Sequence, residues 1–297
     1  MIGLLGSATH IGALSMSIEL EKELFSKVMP LSEDLSHFLA LKSLLAGATP
    51  SRVWVDNKAI PSSALIWDQV NMFFFIVGDT RNWKFNEEVS KLLAEKIIPE
   101  ITELQYDCFY LQVAPDSWNQ MLDQVLAGKK LNRKKIHCYT YKTDNVTIIE
   151  NWREKIPSPF QMKRITSSVL ANKPLKNAEE LNYCIQACWR SIEKYLQKGI
   201  GFCLLHNETI ASWCSTDFII DDKCELYVET FQGYKQKGLA TLAVSACLEE
   251  CLNKKYAIHW HCWDANLASI KLAKNLGFEK KAEKSVYFFK ISGMNNY

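Results

Sequence analysis

The sequence predicts an α/β (α+β) protein in which one order of secondary-structure elements occurs twice. Short apolar runs bounded by turn residues predict strands, and longer segments with apolar residues three or four apart predict helices. In each half of the 297-residue chain these segments follow the order three strands, helix, strand, helix, strand. No repeat of individual residues is visible, so the duplication is predicted from the elements alone.

Composition limits the classes of function. Hydrophobic residues make up 48% and charged residues 23%, which is typical of a globular protein with a core. The net charge of +2 gives no reason to expect binding to nucleic acid or to a membrane surface. The ten cysteines include no CxxC pair, and two pairs have helical spacing, so a reduced, cytoplasmic chain is expected.

The first fifteen residues are apolar but contain no Lys or Arg. A secretory signal has a basic start and a membrane span needs about 20 apolar residues. We therefore expect residues 1–15 to be a dispensable extension or the result of an upstream start. No other segment has the length and apolar character of a membrane span.

The N-terminal half is predicted to begin with helices over residues 17–46. Turn-like sequences then separate three apolar runs, and the remaining segments alternate between helical and extended patterns. The predicted strands cover 52–55, 63–67, 72–77, 108–113 and 135–141, and the predicted helices cover 86–98 and 115–128.

Residues 143–178 contain three prolines and little periodicity, which predicts a boundary between an N-terminal domain, 17–142, and a second domain, 150–297. A long amphipathic helix, a hairpin and a third strand follow the boundary. The predicted helices cover 178–199, 239–252 and 264–278, and the predicted strands cover 200–205, 210–220, 224–230, 256–263 and 285–291.

The segment "YKQKGLA", 234–240, combines two lysines with a glycine at the start of a predicted helix. The first amides of a helix have no partner within it and attract anions, and glycine lets a phosphate approach the backbone. The loop therefore has the chemistry of a pyrophosphate site. The alternative is that Gly238 only forms a turn and that Lys235 and Lys237 lie on a solvated surface. No P-loop or GxGxxG motif is present.

A second motif, "NLASIKLAKNLGF", 266–278, lies one helix and one strand downstream. Together the two motifs resemble the GNAT acyltransferase superfamily, most closely its zwittermicin-resistance-type acetyltransferase branch. The resemblance covers about residues 180–290. It implies a GNAT fold in the C-terminal half, with a mixed, mostly antiparallel sheet and acetyl-CoA bound where the fourth and fifth strands separate.

The resemblance also assigns residues to the cosubstrate. The pyrophosphate would lie on the amides of one loop, the pantetheine arm would follow one strand, and the next helix would contribute two polar side chains. These residues are Lys235, Gln236, Lys237, Gly238, Leu239, Ala240 and Thr241 in the loop, Val228, Glu229 and Thr230 on the strand, and Asn266 and Ser269 on the helix.

The chain departs from the family pattern at two positions. Lys235 stands where the loop usually has Gln or Arg, and Ala273 stands where many members have a tyrosine that protonates the leaving thiolate. That proton would then come from water, Tyr227 or Tyr287. A thiolate is a sufficiently good leaving group that a dedicated acid can be dispensable.

Two glutamates are candidates for the base that keeps the attacking amine neutral. Glu225 and Glu229 share one face of a strand, because side chains alternate along it. Glu229 is closer to the loop and is the first candidate, and Glu225 is the second. For each of them alone, a surface or salt-bridged carboxylate is an equally good interpretation.

The N-terminal half is predicted to be a degenerate, GNAT-like copy that binds no CoA. No glycine occurs between Asp79 and Ala127, and the helix after the third strand carries Glu87 and Glu88, which would repel a pyrophosphate. Such a half can still form one wall of the acceptor cleft. The alternative is an unrelated α/β domain with a structural role.

The function predicted on this resemblance is acetyl-CoA-dependent N-acetyl transfer to a small-molecule amine. The alternative is a catalytically silent GNAT module that binds CoA or a protein partner. No metal is expected, because His259 and His261 lack a third ligand cluster with zinc spacing. The basic run 128–135 is interpreted as a solvated loop. A homodimer is left open.

Overall fold

The computed structural model describes residues 17–126, 131–142, 151–170 and 175–291. Within these residues twelve strands form one continuous sheet. The strands are β1 Ile18–Glu19, β2 Ser51–Val55, β3 Ser63–Asp68, β4 Phe73–Gly78, β5 Cys108–Ala114, β6 Asn132–Tyr141, β7 Phe160–Arg164, β8 Gly201–His206, β9 Thr209–Ile220, β10 Lys223–Thr230, β11 Ala257–Trp263 and β12 Phe278–Lys290.

Helices pack on both faces of this sheet. A 3₁₀ segment, Lys22–Leu35, precedes the first α-helix, and a π-helical turn, Leu93–Ile97, joins two others. The α-helices are α1 Leu39–Leu45, α2 Trp83–Leu92, α3 Ile98–Glu103, α4 Leu122–Val125, α5 Ser167–Leu170, α6 Ala178–Trp189, α7 Ile192–Lys198, α8 Leu239–Asn253 and α9 Leu267–Asn275. No helix among the described residues is both long and apolar enough to cross a membrane.

The strand order follows the predicted duplication. Along the sheet the order is β1-β2-β3-β4-β5-β12-β6-β11-β10-β9-β8-β7. Two neighbouring pairs are parallel, β4 with β5 and β10 with β11, and the other named pairs are antiparallel. Parallel neighbours need a crossover, which α2 and α3 provide in the first half and α8 in the second. The predicted mixed, mostly antiparallel sheet is confirmed.

The two halves exchange their last strands. β6, from the first half, lies between β11 and β12, and β12, from the second half, lies between β5 and β6. The β6–β12 ladder is long, with partners from Phe278↔Tyr141 to Phe288↔Asn132. The sheet therefore continues across the predicted boundary, and each half supplies a central strand to the other.

The core is built from both faces of the sheet. One cluster joins β8–β11 to α8, whose Ala243, Val244 and Cys247 are fully buried. All ten cysteines are free thiols, and seven of them are buried. Another cluster joins the opening 3₁₀ segment and α1 to β3, β4 and β6, on the face of the sheet opposite to the one that α8 covers. The free thiols fill space as small apolar side chains do.

Several observed elements differ from the predicted ones; the last strand, β12, for example, begins at Phe278 and not at residue 285. Ile18 and Glu19 form an edge strand beside β2 instead of starting a helix. The single helix expected over 178–199 is broken at Arg190, which has φ 66°, and Ser191 caps the next helix by accepting from the Lys194 amide. Strand β7 was missed, because only two of its five residues are half-buried and its apolar pattern is weak.

Candidate active site

Strands β10 and β11 separate part-way along their length. They are paired over three residues, Lys223 to Glu225. Beyond this point β10 continues beside β9 as far as Thr230, and β11 continues beside β6 as far as Trp263. Backbone groups of a strand point alternately to its two sides. Part of the backbone of Leu226–Thr230 is therefore directed into a gap between two strands.

The loop after β10 leads into the N-terminus of α8. Gln236 and Gly238 have positive φ values of 62° and 74°, and Gly238 is the N-cap. No side chain caps the helix, and a Cβ built at Gly238 would meet no atom within 4 Å. The first amides of this 15-residue helix therefore have no side-chain cap to accept from them. Lys235, Gln236 and Lys237 are exposed beside them.

The residues predicted to contact a cosubstrate lie around this gap. Val228, Glu229 and Thr230 are on the separated part of β10, and Leu239, Ala240 and Thr241 form the first turn of α8. These residues fit an anionic ligand that also hydrogen-bonds to an open strand, since uncapped amides bind anions and unpaired strand groups accept an added strand.

Asn266 and Ser269 have structural contacts of their own. Asn266 caps α9 by accepting from the Ser269 amide, 3.1 Å away, and the Ser269 hydroxyl accepts from Trp260 Nε1 at 3.0 Å. Both residues therefore fix the start of α9 next to β11.

The two candidate bases occupy different positions. Glu225 is the last β10 residue paired with β11, so its carboxylate lies where the gap opens. Its Oε1 accepts from Nδ1 of His261 at 2.8 Å, and both side chains are mostly buried. Glu229 lies four residues further towards the loop, and its Oε1 accepts from the Thr230 amide at 3.1 Å.

His261 is held in its charged form. Burial disfavours the imidazolium, but the charge of Glu225 and side-chain hydrogen bonds with Cys138 and Glu225 more than offset it and raise the pKa of His261 to about 10. The ring of Phe38, from the first half, stacks on the imidazole with a centroid distance of 4.8 Å. The first half thus contacts the partner of Glu225 directly.

A β-bulge places a second carboxylate near Glu225. Glu225 pairs with Phe218 and Leu226 pairs with Thr216, so Asp217 has no partner on β10. A bulge reorients the side chain of its extra residue. Burial, and then the negative charge of Glu225, raise the pKa of Asp217 well above its ordinary value. The two carboxylates are therefore close enough to interact.

The tyrosines considered as proton donors are in different environments. Tyr227 shares the face of Glu225 and Glu229 and is 39% exposed, and its ring lies 5.2 Å from that of Trp213. Burial and the charge of Glu229 raise its pKa. Tyr287 is buried in a core cluster of the first half, and its hydroxyl donates to Asn119. Ala273 is fully buried.

Three residues of this site were not found from the sequence. His261 enters the sequence analysis only as a rejected metal ligand, and its pairing with Glu225 is not indicated there. Asp217 had a recognisable signal, a charge within an apolar strand. Phe38 had none, because its contact with His261 spans most of the chain.

Comparison with known proteins gives a match over both halves. The model of a family described as GNAT acetyltransferase matches residues 29–287. A protein of Bacillus subtilis (strain 168) named "Uncharacterized N-acetyltransferase YdfB" is 24% identical over 277 residues, which cover 93% of this chain and 99% of that protein.

Solved structures share the fold at low sequence identity. A GCN5-related N-acetyltransferase-like protein from Streptococcus suis 89/1591 has a TM-score of 0.65 at 20% identity, over 90% of this chain and 99% of that one. A tandem GNAT protein from the clavulanic acid biosynthesis pathway has a TM-score of 0.60 at 12% identity, over 94% and 99%. These likenesses extend over both halves of the sheet.

Proposed function

Because the chain belongs to the GNAT acetyltransferase family, we propose that it transfers an acetyl group from acetyl-CoA to the amine of a small molecule. The observation that carries the proposal is the gap between β10 and β11, with the uncapped N-terminus of α8 at its end. An open strand edge and free helix amides suit a long ligand with a pyrophosphate at one end.

Lys235–Thr241 would hold the pyrophosphate of the cosubstrate, and the backbone of Val228–Thr230 would hold its pantetheine arm. The exposed loop and the open space at Gly238 support this assignment. Lys235 and Lys237 add positive charge near the amides. Asn266 and Ser269 support the opposite wall through the start of α9.

We propose Glu225 as the base, ahead of Glu229. Glu225 lies where the strands separate, and His261 fixes its orientation through a 2.8 Å hydrogen bond. In the reaction the amine nitrogen forms a bond to the thioester carbonyl carbon, and Glu225 receives the amine proton, directly or through water. The C–S bond then breaks, and the thiolate takes a proton from water or from Tyr227.

The first half, 17–142, would serve as a wall of the acceptor site for the catalytic second half, 150–297. Helix α1 lies against β9 and β10, and Phe38 stacks on His261. The sequence resemblance to the zwittermicin-resistance-type branch supports a small-molecule acceptor. The ten free thiols support a reducing, cytoplasmic location.

The test is the reaction of purified protein with acetyl-CoA and a panel of small amines. We expect free thiol to appear in step with acetylated amine, and only when an amine is present. A catalytically silent module would bind CoA in calorimetry yet release no thiol with any amine. If the protein neither binds CoA nor releases thiol with any amine, the family-based proposal as a whole is contradicted.

A further inference from the structure

His261 is enclosed by residues from three other parts of the fold. Its Nδ1 donates to Oε1 of Glu225 on β10 at 2.8 Å, and the ring of Phe38 stacks on the imidazole with 27° between the two planes. Cys138 of β6 lies directly opposite His261 in the ladder of β6 and β11. The side chain of His261 is only 8% exposed. Phe38 and Cys138 belong to the first half, so two of these three neighbours lie outside the second half.

Phe38 is itself fixed by the first half. Its amide donates to the Leu35 carbonyl at 2.9 Å, and its own carbonyl accepts from the Lys42 amide at 3.4 Å. Its side chain is 5% exposed and belongs to a core cluster with Leu41 and Leu44. Close packing in a core holds such a ring in one position. His261 thus lies against a surface whose place is set by the other half.

Glu225 takes its orientation from His261. One carboxylate oxygen, Oε1, accepts from the imidazole, whereas Oε2 is buried and has no hydrogen-bond partner among the described residues. A hydrogen bond weakens steeply when its donor turns out of line. The stacked ring of Phe38 resists rotation of the imidazole, and so it fixes the direction of Nδ1–H. Oε2 is then held as the oxygen that is left to receive the amine proton.

The stack also keeps water away from a charged pair, which strengthens the attraction between Glu225 and the imidazolium. Burial lowers the pKa of His259 to about 4 and that of His37 below its usual value, so both of these neighbours are neutral at pH 7. Glu225 is therefore the carboxylate that holds the charge on His261. The titratable and charged groups around this pair are Cys138, His259, His37, Lys223, Lys284 and Asp217.

From these contacts we infer that Phe38 is a positioning residue for the base: it fixes the imidazole of His261, and through it the carboxylate of Glu225. This inference deepens the proposed acetyl transfer and rests on it, because it needs Glu225 to be the base. Phe38 acts only through His261. The first half then contributes to the reaction itself as well as to the wall of the acceptor site.

The first experiment is a double-mutant cycle on kcat, with acetyl-CoA and the amine that reacts fastest among benzylamine, glucosamine and 1,4-diaminobutane. Phe38→Leu keeps an apolar side chain but removes the flat ring, and it should lower kcat about tenfold, the upper range for an aromatic stack. His261→Gln removes the imidazolium and should lower kcat further. In the His261→Gln background Phe38→Leu should change kcat by less than about twofold, because no imidazole is left to position.

The second experiment follows the imidazole of His261 by NMR on protein with ¹⁵N-labelled histidine, and it needs no acceptor. In Phe38→Leu water reaches one face of the charged pair and screens the attraction of Glu225. The pKa of His261 should then fall from about 10 to about 9, towards its usual value. His261→Gln identifies the signal by its loss.

Phe25→Leu is the matched control. Phe25 is 4% exposed and lies in the same core cluster, on the 3₁₀ segment, so this change removes the same ring from the same core. It should leave both kcat and the pKa of His261 as in the wild type. Unchanged CoA affinity reports that a variant is folded. Phe38→Met, with a flexible apolar side chain, replaces Phe38→Leu if that protein does not fold.

The outcomes separate the inference from the proposed function. An equal loss of kcat from Phe38→Leu in the wild type and in His261→Gln, or a loss as large from Phe25→Leu, would show a general effect of core packing and overturn the inference. An unchanged kcat and an unchanged pKa of His261 in Phe38→Leu also overturn it and leave acetyl transfer intact. If the wild type releases thiol with no amine, acetyl transfer is contradicted, and a lower pKa of His261 in Phe38→Leu alone still supports the contact through which Phe38 acts.

Discussion

The two halves of the molecule build the same strand–helix–strand crossover, but a gap opens only in the second. In the first half β4 and β5 are paired over five residues, from Phe73↔Tyr110 to Val77↔Ala114. In the second half β10 and β11 are paired over three. The β3–β4 ladder is regular, whereas the β9–β10 ladder has a bulge at Asp217.

The two crossover helices also begin differently, and this difference again favours an anion site in the second half only. Asn82 caps α2 by accepting from the Phe85 amide, and its Nδ2 donates to Asp56 at 2.9 Å. This helix start is thus capped and lies next to a carboxylate. Gly238, at the start of α8, offers no cap, and lysines lie beside it.

The comparison shows that topology alone does not make the site. Both halves have the crossover, but an anion site also needs uncapped helix amides, and an acyl site also needs separated strands. One glycine and one bulged residue account for much of the difference. The predictions below test this asymmetry, beginning with the largest effect.

Glu225→Gln should lower kcat roughly a thousandfold, because the amine loses its base, within the range known for general-base catalysis. Affinity for CoA should stay unchanged. Glu229→Gln is the matched control, since it removes the same charge four residues along the strand, and it should lower kcat much less. Steady-state thiol release measures both variants. A larger loss in Glu229→Gln would return that residue to first place as the base.

His261→Gln should lower the free energy of unfolding at pH 7 by about 3 kcal/mol, because it leaves Glu225 buried without its charged partner. The folded pKa of about 10 exceeds the unfolded value near 6.5, so this stabilisation is complete below pH 6.5 and is lost as pH rises to about 10. Urea unfolding should show that the free energy of unfolding falls more steeply over this pH range in the wild type than in the variant. Parallel pH profiles of the two proteins would contradict the charged Glu225–His261 pair.

Asn82→Ala should cost about 1 kcal/mol of stability, because the α2 cap is lost, while CoA affinity stays the same. Thermal unfolding and calorimetry measure the two effects. Tighter or additional CoA binding in this variant would mean that the cap alone keeps the first half from binding. The difference between the two halves would then depend on this cap and not on the continuous pairing of β4 with β5.

Much of the fold could be predicted from the sequence, because most elements have local signals. Alternating apolar runs marked the hairpin of β8 and β9, and glycine with lysines marked the start of α8. The duplication followed from the element order, and the strand order confirms it. The assignment of cosubstrate and base to particular residues stays a prediction.

The parts that were not predicted depend on contacts distant in sequence. The exchange of β6 and β12 joins residues about 150 positions apart, and no local pattern records it. The His261–Glu225 pair and the stacking of Phe38 also join separate segments. The bulge at Asp217 arises from a register shift between two strands, which alternation within one strand does not reveal.

The most direct test of the account is the stoichiometry of CoA binding, measured by calorimetry on wild type and on Gly238→Glu. The account predicts one CoA per chain, lost in the variant, because a glutamate would place bulk and negative charge at the α8 amides. Gly233→Glu, which adds the same side chain where a Cβ also meets nothing within 4 Å, should still bind. Two CoA per chain, or unchanged affinity in a folded Gly238→Glu protein, would contradict it.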